Sequence, residues 1–359
     1  MTSQRLRRQN SFGEHIMAAQ QVPGNNDPPR RYVFGPVPSR RLGQSLGIDT
    51  IPLKTCNWNC VYCQLGRSEP LINQRKAYFP REDILAEVQA ALAEHGPGEI
   101  DWITFVGSGE PTLHSDMGWL IEGVKQLTDI PVSVITNGSL LYLPEVRAEL
   151  ARADAVMPTL DAGTPELYRQ INRPWPELTY ETLVEGLRSF RAGYAGKLWI
   201  ETMLIKGLND SEEALRELAR VMQSIGPDQV HLLLPTRPPV ETWVQPADKE
   251  GVLRAAAILG EIAEVLHPKE GVFDLSGFDD PLDGVVAIIT RHPMREDQIR
   301  RALAAYRPAA TIDEALAGLL TSGRAQVIDR YGVRFWSAAP AHYPDPQQSQ
   351  RTQPKGRRT

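Results

Sequence analysis

Cysteine is the scarcest reactive side chain here, with three among 359 residues. A small, odd number does not suit a disulfide framework. No run of about 18 apolar residues occurs, so nothing in the sequence asks to span a membrane. Nor does an apolar stretch follow Arg5, Arg7 and Arg8, as a secretory signal requires. The sequence therefore reads as cytoplasmic, with reduced thiols and no membrane partner. A surplus of one charge is missing too: 39 basic against 44 acidic residues give a formal charge of -5. That balance excludes chain-wide electrostatic binding of nucleic acid, which would need a local basic patch. Repeats and low-complexity blocks are also lacking. What is present, 42% apolar residues, suffices for a sizeable core.

The cysteines stand together as Cys56, Cys60 and Cys63, spaced C-x3-C-x2-C between Thr55 and Gly66. Clustered thiols suggest a shared ligand, since a thiolate binds metal and a thiol is otherwise a small hydrophobe. Three readings stay open: one face of a buried helix, a zinc site, or an iron–sulfur cluster. Asn57, Asn59, Pro52 and Gly66 weigh against the helix. A structural zinc site wants a fourth Cys or His, and none is near. A cluster on three thiolates would leave one iron open to a ligand.

Residues 1–30 are polar and read as a disordered leader; 341–359, rich in Pro, Gln and Arg, read as a disordered tail. Between 31 and 278, strand-length apolar runs appear at Leu46–Pro52, Ile100–Val106, Val132–Thr136, Ala155–Leu160, Leu198–Ile205 and Gln229–Leu234. They alternate with helical periods at Glu82–Glu94, Ser115–Thr128, Leu143–Ala151, Tyr180–Ala192, Ser211–Ser224 and Lys249–Leu266. Such alternation predicts an α/β fold, a parallel sheet with helices outside. Ligands of such folds gather at the carboxyl ends of the strands. The cysteines, Gly107–Thr112, Thr136–Gly138, Thr159–Asp161 and Pro235–Pro239 all fall at those ends, and Glu201 and Met203 lie late on the fifth strand.

Residues 279–340 break the rhythm. Helices over Arg295–Tyr306 and Ile312–Thr321 precede a hairpin, Ala325–Arg330 and Val333–Trp336, turning at Tyr331-Gly332. This pattern predicts a small winged-helix-like module. Its Arg295, Arg300 and Arg301 admit nucleic acid as a partner through phosphate contacts, or else a solvated packing face.

Cys56, Cys60, Tyr62 and Cys63 match the C-x3-C-x-aromatic-C signature of the radical SAM superfamily, which the sequence resembles. The resemblance implies a partial (β/α)6 barrel, a [4Fe–4S] cluster on the three cysteines, and S-adenosylmethionine chelating the fourth iron. It also implies an electron donor such as flavodoxin or ferredoxin, and reductive cleavage to a 5′-deoxyadenosyl radical that abstracts hydrogen from an unidentified substrate, tRNA or another macromolecule among the candidates. Gly107, Gly109, Glu110 and Pro111 resemble the family's G-G-E-P element, which binds the methionine amino group; Ser108 departs from it. By the same resemblance Thr136 and Asn137 contact the cofactor, Thr159 and Asp161 stand for the family's S-L-D, and Tyr62 places its neighbourhood against the adenine. Met203 and Glu201 are candidates for the same pocket.

Phe34–Gly43 and Leu234–Pro239 look like bacterial and archaeal proteins related to the wyosine-forming tRNA enzymes. This chain has no cysteine left for those enzymes' second cluster. Arg40, Arg41 and Arg237 in these stretches are candidate anion ligands. Residues 67–80 are a candidate closing loop. The competing class is a non-enzymatic iron–sulfur or zinc sensor whose winged-helix module binds DNA.

Overall fold

The computed structural model describes residues 32–267, 271 and 273–354, so the expected leader at 1–30 lies outside the described residues. Eight strands form one sheet in sequence order: β1 (Val33–Ser39), β2 (Gly43–Ile48), β3 (Trp102–Phe105), β4 (Val132–Thr136), β5 (Ala155–Pro158), β6 (Lys197–Met203), β7 (Gln229–Leu233) and β8 (Ala263–Val265). β1 is antiparallel to β2, and every later pair is parallel. The α/β expectation holds, and the six foreseen strands are β2 to β7.

The sheet curves. Trp102 on β3 and Trp199 on β6 have ring centroids 5.9 Å apart, although strands three places apart in a flat sheet would stand roughly 14 Å from each other. Helices Arg81–Ala93, Met117–Leu127, Pro144–Leu150, Tyr180–Gly193, Glu212–Ile225 and Lys249–Leu259 fill the connections. Their apolar stripes explain why: Leu215, Leu218 and Met222 are buried in the main core while Glu212 and Arg216 face water. Side-chain caps fix several starts, with Ser211 accepting from Ala214 N and Asp248 from Gly251 N.

Three expectations need correction. β1 was not foreseen, because Pro36 and Pro38 read as irregular chain; an edge strand tolerates them, and a bulge between Phe34 and Val37 absorbs the mismatch. The helix expected through Leu266 stops at Leu259, where Gly260 takes φ +71; a 3-10 turn over Gly260–Ile262 follows, and then β8. The tail expected to be disordered from 341 carries structure: Pro346–Arg351 is a helix, begun by Asp345 accepting from Gln348 N.

Polar anchoring holds that tail. The fully buried Glu241 carboxylate takes Ser349 Oγ at 2.8 Å, Thr352 Oγ1 at 2.7 Å, Arg67 at 3.1 Å and Arg173 at 2.5 Å. Burial pushes the Glu241 pKa up, but the bonds from Thr352, Arg173 and Ser349 outweigh it and leave it below the ordinary value. Its stabilisation is thus complete above the unfolded glutamate pKa and lost as pH falls through the lowered folded one. Amide exchange over 346–352 should stay slow until the pH passes below the ordinary glutamate range. Glu241→Leu leaves Arg173 without its carboxylate and Arg67 with only the longer contact to Glu69, and should cost about 3 kcal/mol, freeing the same amides at neutral pH. Unchanged protection in the variant would contradict the anchoring.

Beyond the sheet, helix Pro281–Arg291, strand β9 (Met294–Arg295), helices Glu296–Leu303 and Ala309–Thr321, and strands β10 (Ala325–Arg330) and β11 (Val333–Ala338) form a second unit of structure. Its sheet runs β10-β11-β9, all antiparallel. Tyr331 and Gly332 turn the hairpin with φ 51 and 75. Its core of Val285, Ile288, Ile299 and Trp336 also takes in Phe34 and Val37 from β1.

Candidate functional site

The cysteine loop forms neither helix nor strand and is held by backbone bonds from its surroundings. Val61 N donates to Ile171 O, Trp175 N to Asn57 O, and Val240 N to Cys63 O at 2.9 Å. Val61, with Ile171, Ile205 and Val244, plugs the loop from below as a small apolar cluster. Asn57 is fully buried; its amide donates to Asn73 and Ser139 and accepts from Asn137 at 2.7 Å. The asparagines that spoil a helix here are therefore the clasps of the loop.

Each sulfur faces N–H donors. Trp58 N lies 3.4 Å and Asn137 Nδ2 3.9 Å from Cys56 Sγ, Asn172 Nδ2 lies 3.7 Å from Cys60 Sγ, and Lys54 Nζ lies 3.2 Å from Cys63 Sγ. Lys54 reaches its sulfur from a left-handed backbone, φ 63. Burial pushes the Cys56 thiol up to about 12, against the pull of Lys54, and burial with Cys56 and Cys63 pushes Cys60 well above its ordinary value. Among the described residues no three His, Cys, Asp or Glu side chains draw close enough for one metal ion. Three thiols on one short loop, each with an N–H donor beside its sulfur, have the donor chemistry of an iron–sulfur ligand set.

The Gly107–Pro111 element is joined directly to this loop. Lys54 N donates to Ser108 O at 2.6 Å, and Glu110 N to Thr55 O at 2.9 Å. A Cβ on Gly109 would sit 1.9 Å from the Thr55 carbonyl oxygen. Ser108, the departure from the family pattern, binds Asp49 through N at 3.1 Å and Oγ at 2.5 Å, and Asp49 in turn pairs with Arg291 at 2.8 Å. The serine thereby ties the strand-end loop to the carboxy-terminal module.

The structure brings the remaining expected residues to the same end of the sheet, each with its own partners. Glu110 is buried and accepts from Thr112 N at 3.0 Å, Thr112 Oγ1 at 2.5 Å, Thr136 Oγ1 at 2.6 Å and Asn137 N at 2.6 Å. Burial still raises its pKa against those bonds. Thr136 is engaged twice, also accepting from Gly138 N. Tyr62 Oη donates to Asp161 Oδ2 at 2.6 Å, where Asn172 Nδ2 also donates, and Asp161 Oδ1 takes Met203 N at 2.7 Å. Burial pushes Asp161 up to about 6. Thr159 keeps a hydroxyl without a hydrogen bond among the described residues.

Residues 67–80, the candidate closing loop, are pinned: Arg75 pairs with Glu149 at 2.5 Å and Lys76 N donates to Leu113 O. The module's arginines are also committed, Arg300 to Asp313 at 2.6 Å and Arg301 to Asp297 at 3.0 Å.

Sequence reading missed Asn172, Gln64, Glu241 and His292. Asn172 follows the short helix Pro165–Ile171, whose two turns carry too little period to register. Gln64 adjoins Cys63, and that adjacency was its only signal.

A family model described as the radical SAM superfamily matches residues 50–219. A UPF0026 protein of Methanocaldococcus jannaschii is 36% identical over 274 residues, covering 75% of this chain and 85% of that protein. A protein of Brachyspira hyodysenteriae named GTPase Obg is 48% identical over 205 residues, 57% of this chain, which spans 30% of that protein's length. Among solved structures, one titled native anSMEcpe with bound AdoMet aligns with a TM-score of 0.47 at 17% identity, over 60% of this chain and 58% of that one.

Proposed function

The chain belongs to the radical SAM superfamily, among its UPF0026 proteins, and on that footing we propose that Cys56, Cys60 and Cys63 hold a [4Fe–4S] cluster which, with S-adenosylmethionine, serves hydrogen abstraction from a substrate. The observation that supports it most is the three sulfurs, each facing N–H donors and joined through Gly109 to a second strand-end loop. The cluster would supply the electron that cleaves the sulfonium. The chain's own residues do the rest. Asn137, Asn172, Lys54 and the Trp58 amide stabilise thiolate charge and so set how easily the site is reduced. Glu110 locks the β3 and β4 loops together, and Asp161 locks Tyr62 to β6. Thr159 offers the uncommitted hydroxyl to a bound cofactor. An electron donor such as flavodoxin or ferredoxin belongs to this reading.

The kinship with wyosine-forming enzymes and the winged-helix-like nature of the 279–340 module are part of the same proposal. The helix, strand, two helices and hairpin order supports the latter. Nucleic acid gains little support, since the arginines that would meet phosphates already pair with carboxylates.

Anaerobic reconstitution with iron and sulfide, followed by reductant and S-adenosylmethionine, should yield 5′-deoxyadenosine. A protein that purifies with stoichiometric zinc and yields none would sink the reading.

A further inference from the structure

The interior of the curved sheet holds a charge imbalance that the cluster site does not explain. Arg41, from the turn joining β1 to β2, crosses to β5 and β6, with Nε 3.1 Å from Met157 Sδ and Nη2 2.5 Å from Glu201. Arg40 of the same turn donates to Thr236 Oγ1 at 2.8 Å, just past β7. Arg237, the next residue, donates to Gln64 Oε1 at 3.0 Å and to His292 Nε2. Gln64 also donates to Arg291 O, so helix Pro281–Arg291 ends against this pocket.

A guanidinium has no lone pair to offer, so His292 Nε2 must accept and His292 must be neutral. Burial first, then Arg237 and Arg40, drive its pKa well below the ordinary value. A second imidazole, His231, lies near Arg41, and burial and then Arg41 lower its pKa to about 4, although Glu264 stands 3.9 Å from its Nε2. Three guanidiniums, Arg40, Arg41 and Arg237, thus act on these imidazoles, and Glu201 pairs with Arg41. Among the described residues no carboxylate lies within ion-pair distance of Arg40 or Arg237.

Half-buried, unbalanced cations lower stability unless something pairs with them. Burial, Arg40 and Arg41 together depress the Arg237 pKa to about 9. Two uncompensated positive charges with fork-shaped donors call for an oxyanion of charge near minus two. A phosphate monoester carries about −1.5 to −2 at neutral pH, whereas one carboxylate leaves a guanidinium unmatched.

We propose that Arg40, Arg41 and Arg237, with neutral His292 and Gln64 as polar wall, bind a phosphate group carried by the substrate. This deepens the radical reading by giving its substrate a chemical class, because Gln64 joins the pocket to Cys63. The pocket is completed by the carboxy-terminal module through His292.

The test uses the full chain, cluster reconstituted, titrated calorimetrically with inorganic phosphate against chloride at matched ionic strength. One saturable phosphate per chain is expected, with a rise in Tm as phosphate is added. Arg237→Met and Arg40→Met should each weaken phosphate binding at least tenfold. Without phosphate, Arg237→Met should unfold at the same or a higher temperature than the parent, because a purely structural arginine would do the opposite. Absence of saturable binding, undiminished binding in both variants, or a lowered Tm in phosphate-free Arg237→Met would overturn the proposal.

A second titration separates the two sources of oxyanion, the substrate's phosphate and the carboxylate of S-adenosylmethionine. Saturating phosphate should leave S-adenosylmethionine affinity unchanged; competition would assign the arginines to the cofactor and overturn the assignment. The phosphate titration needs no cleavage chemistry. Phosphate binding without 5′-deoxyadenosine would therefore retain the pocket and remove the radical reading.

Discussion

Gly109→Ala should disable the protein while leaving most of its fold in place. A methyl group there would lie 1.9 Å from the Thr55 oxygen and 2.5 Å from its carbonyl carbon. Both are backbone atoms, so no side chain can swing aside. The two loops must separate, losing the Glu110 N to Thr55 O and Lys54 N to Ser108 O bonds that register the cysteines against β3. Overpacking of this kind costs about 3 kcal/mol, and a displacement near 1 Å at a reacting centre costs about 100-fold in rate. Cleavage of S-adenosylmethionine should fall by that factor, with reduced iron content. Gly318 supplies the comparison. Nothing stands within 4 Å of its Cβ position on an exposed helix, so Gly318→Ala should be neutral or stabilising by up to about 1 kcal/mol. Equal iron and cleavage in the two variants would show that the close approach at Gly109 is dispensable.

Replacing any one of Cys56, Cys60 or Cys63 with alanine should have the largest effect, loss of the visible cluster absorbance and of 5′-deoxyadenosine. No other thiol can take over, since the chain has no fourth cysteine. The fold should survive, because the loop is held by Val61 and by backbone bonds to 171–175 and 240–241 rather than by the sulfurs. Iron analysis with far-ultraviolet circular dichroism checks both halves. Native iron content in the Cys60 variant would contradict the ligand assignment.

How far the sequence could be read depended on whether a residue acts through pattern or through partners. β2 to β7 were legible because apolar runs between amphipathic stretches have one good packing, and the motif residues were placeable because such strands present their carboxyl ends together. Partners were not legible. Nothing in Phe105–Thr112 says that Glu110 accepts from Thr112, Thr136 and Asn137 at once, since two of those bonds come from the end of β4 and the residue after it, about 26 residues on. Glu241 was silent for the same reason: its partners lie at 67, 173, 349 and 352. β1 was hidden by prolines that matter in a central strand and are harmless at an edge.

That edge strand has a further consequence. Phe34 and Val37 lie in the apolar core of the second unit, while Val33 lies in that of the main sheet. A boundary at 278 therefore divides the sequence without dividing the hydrophobic interior. Severing the chain there would uncover one side of β1 and take His292 and Arg291 from the mouth in one stroke. Through β1 the two apolar clusters share one strand, so loosening either one loosens the strand that the other packs on.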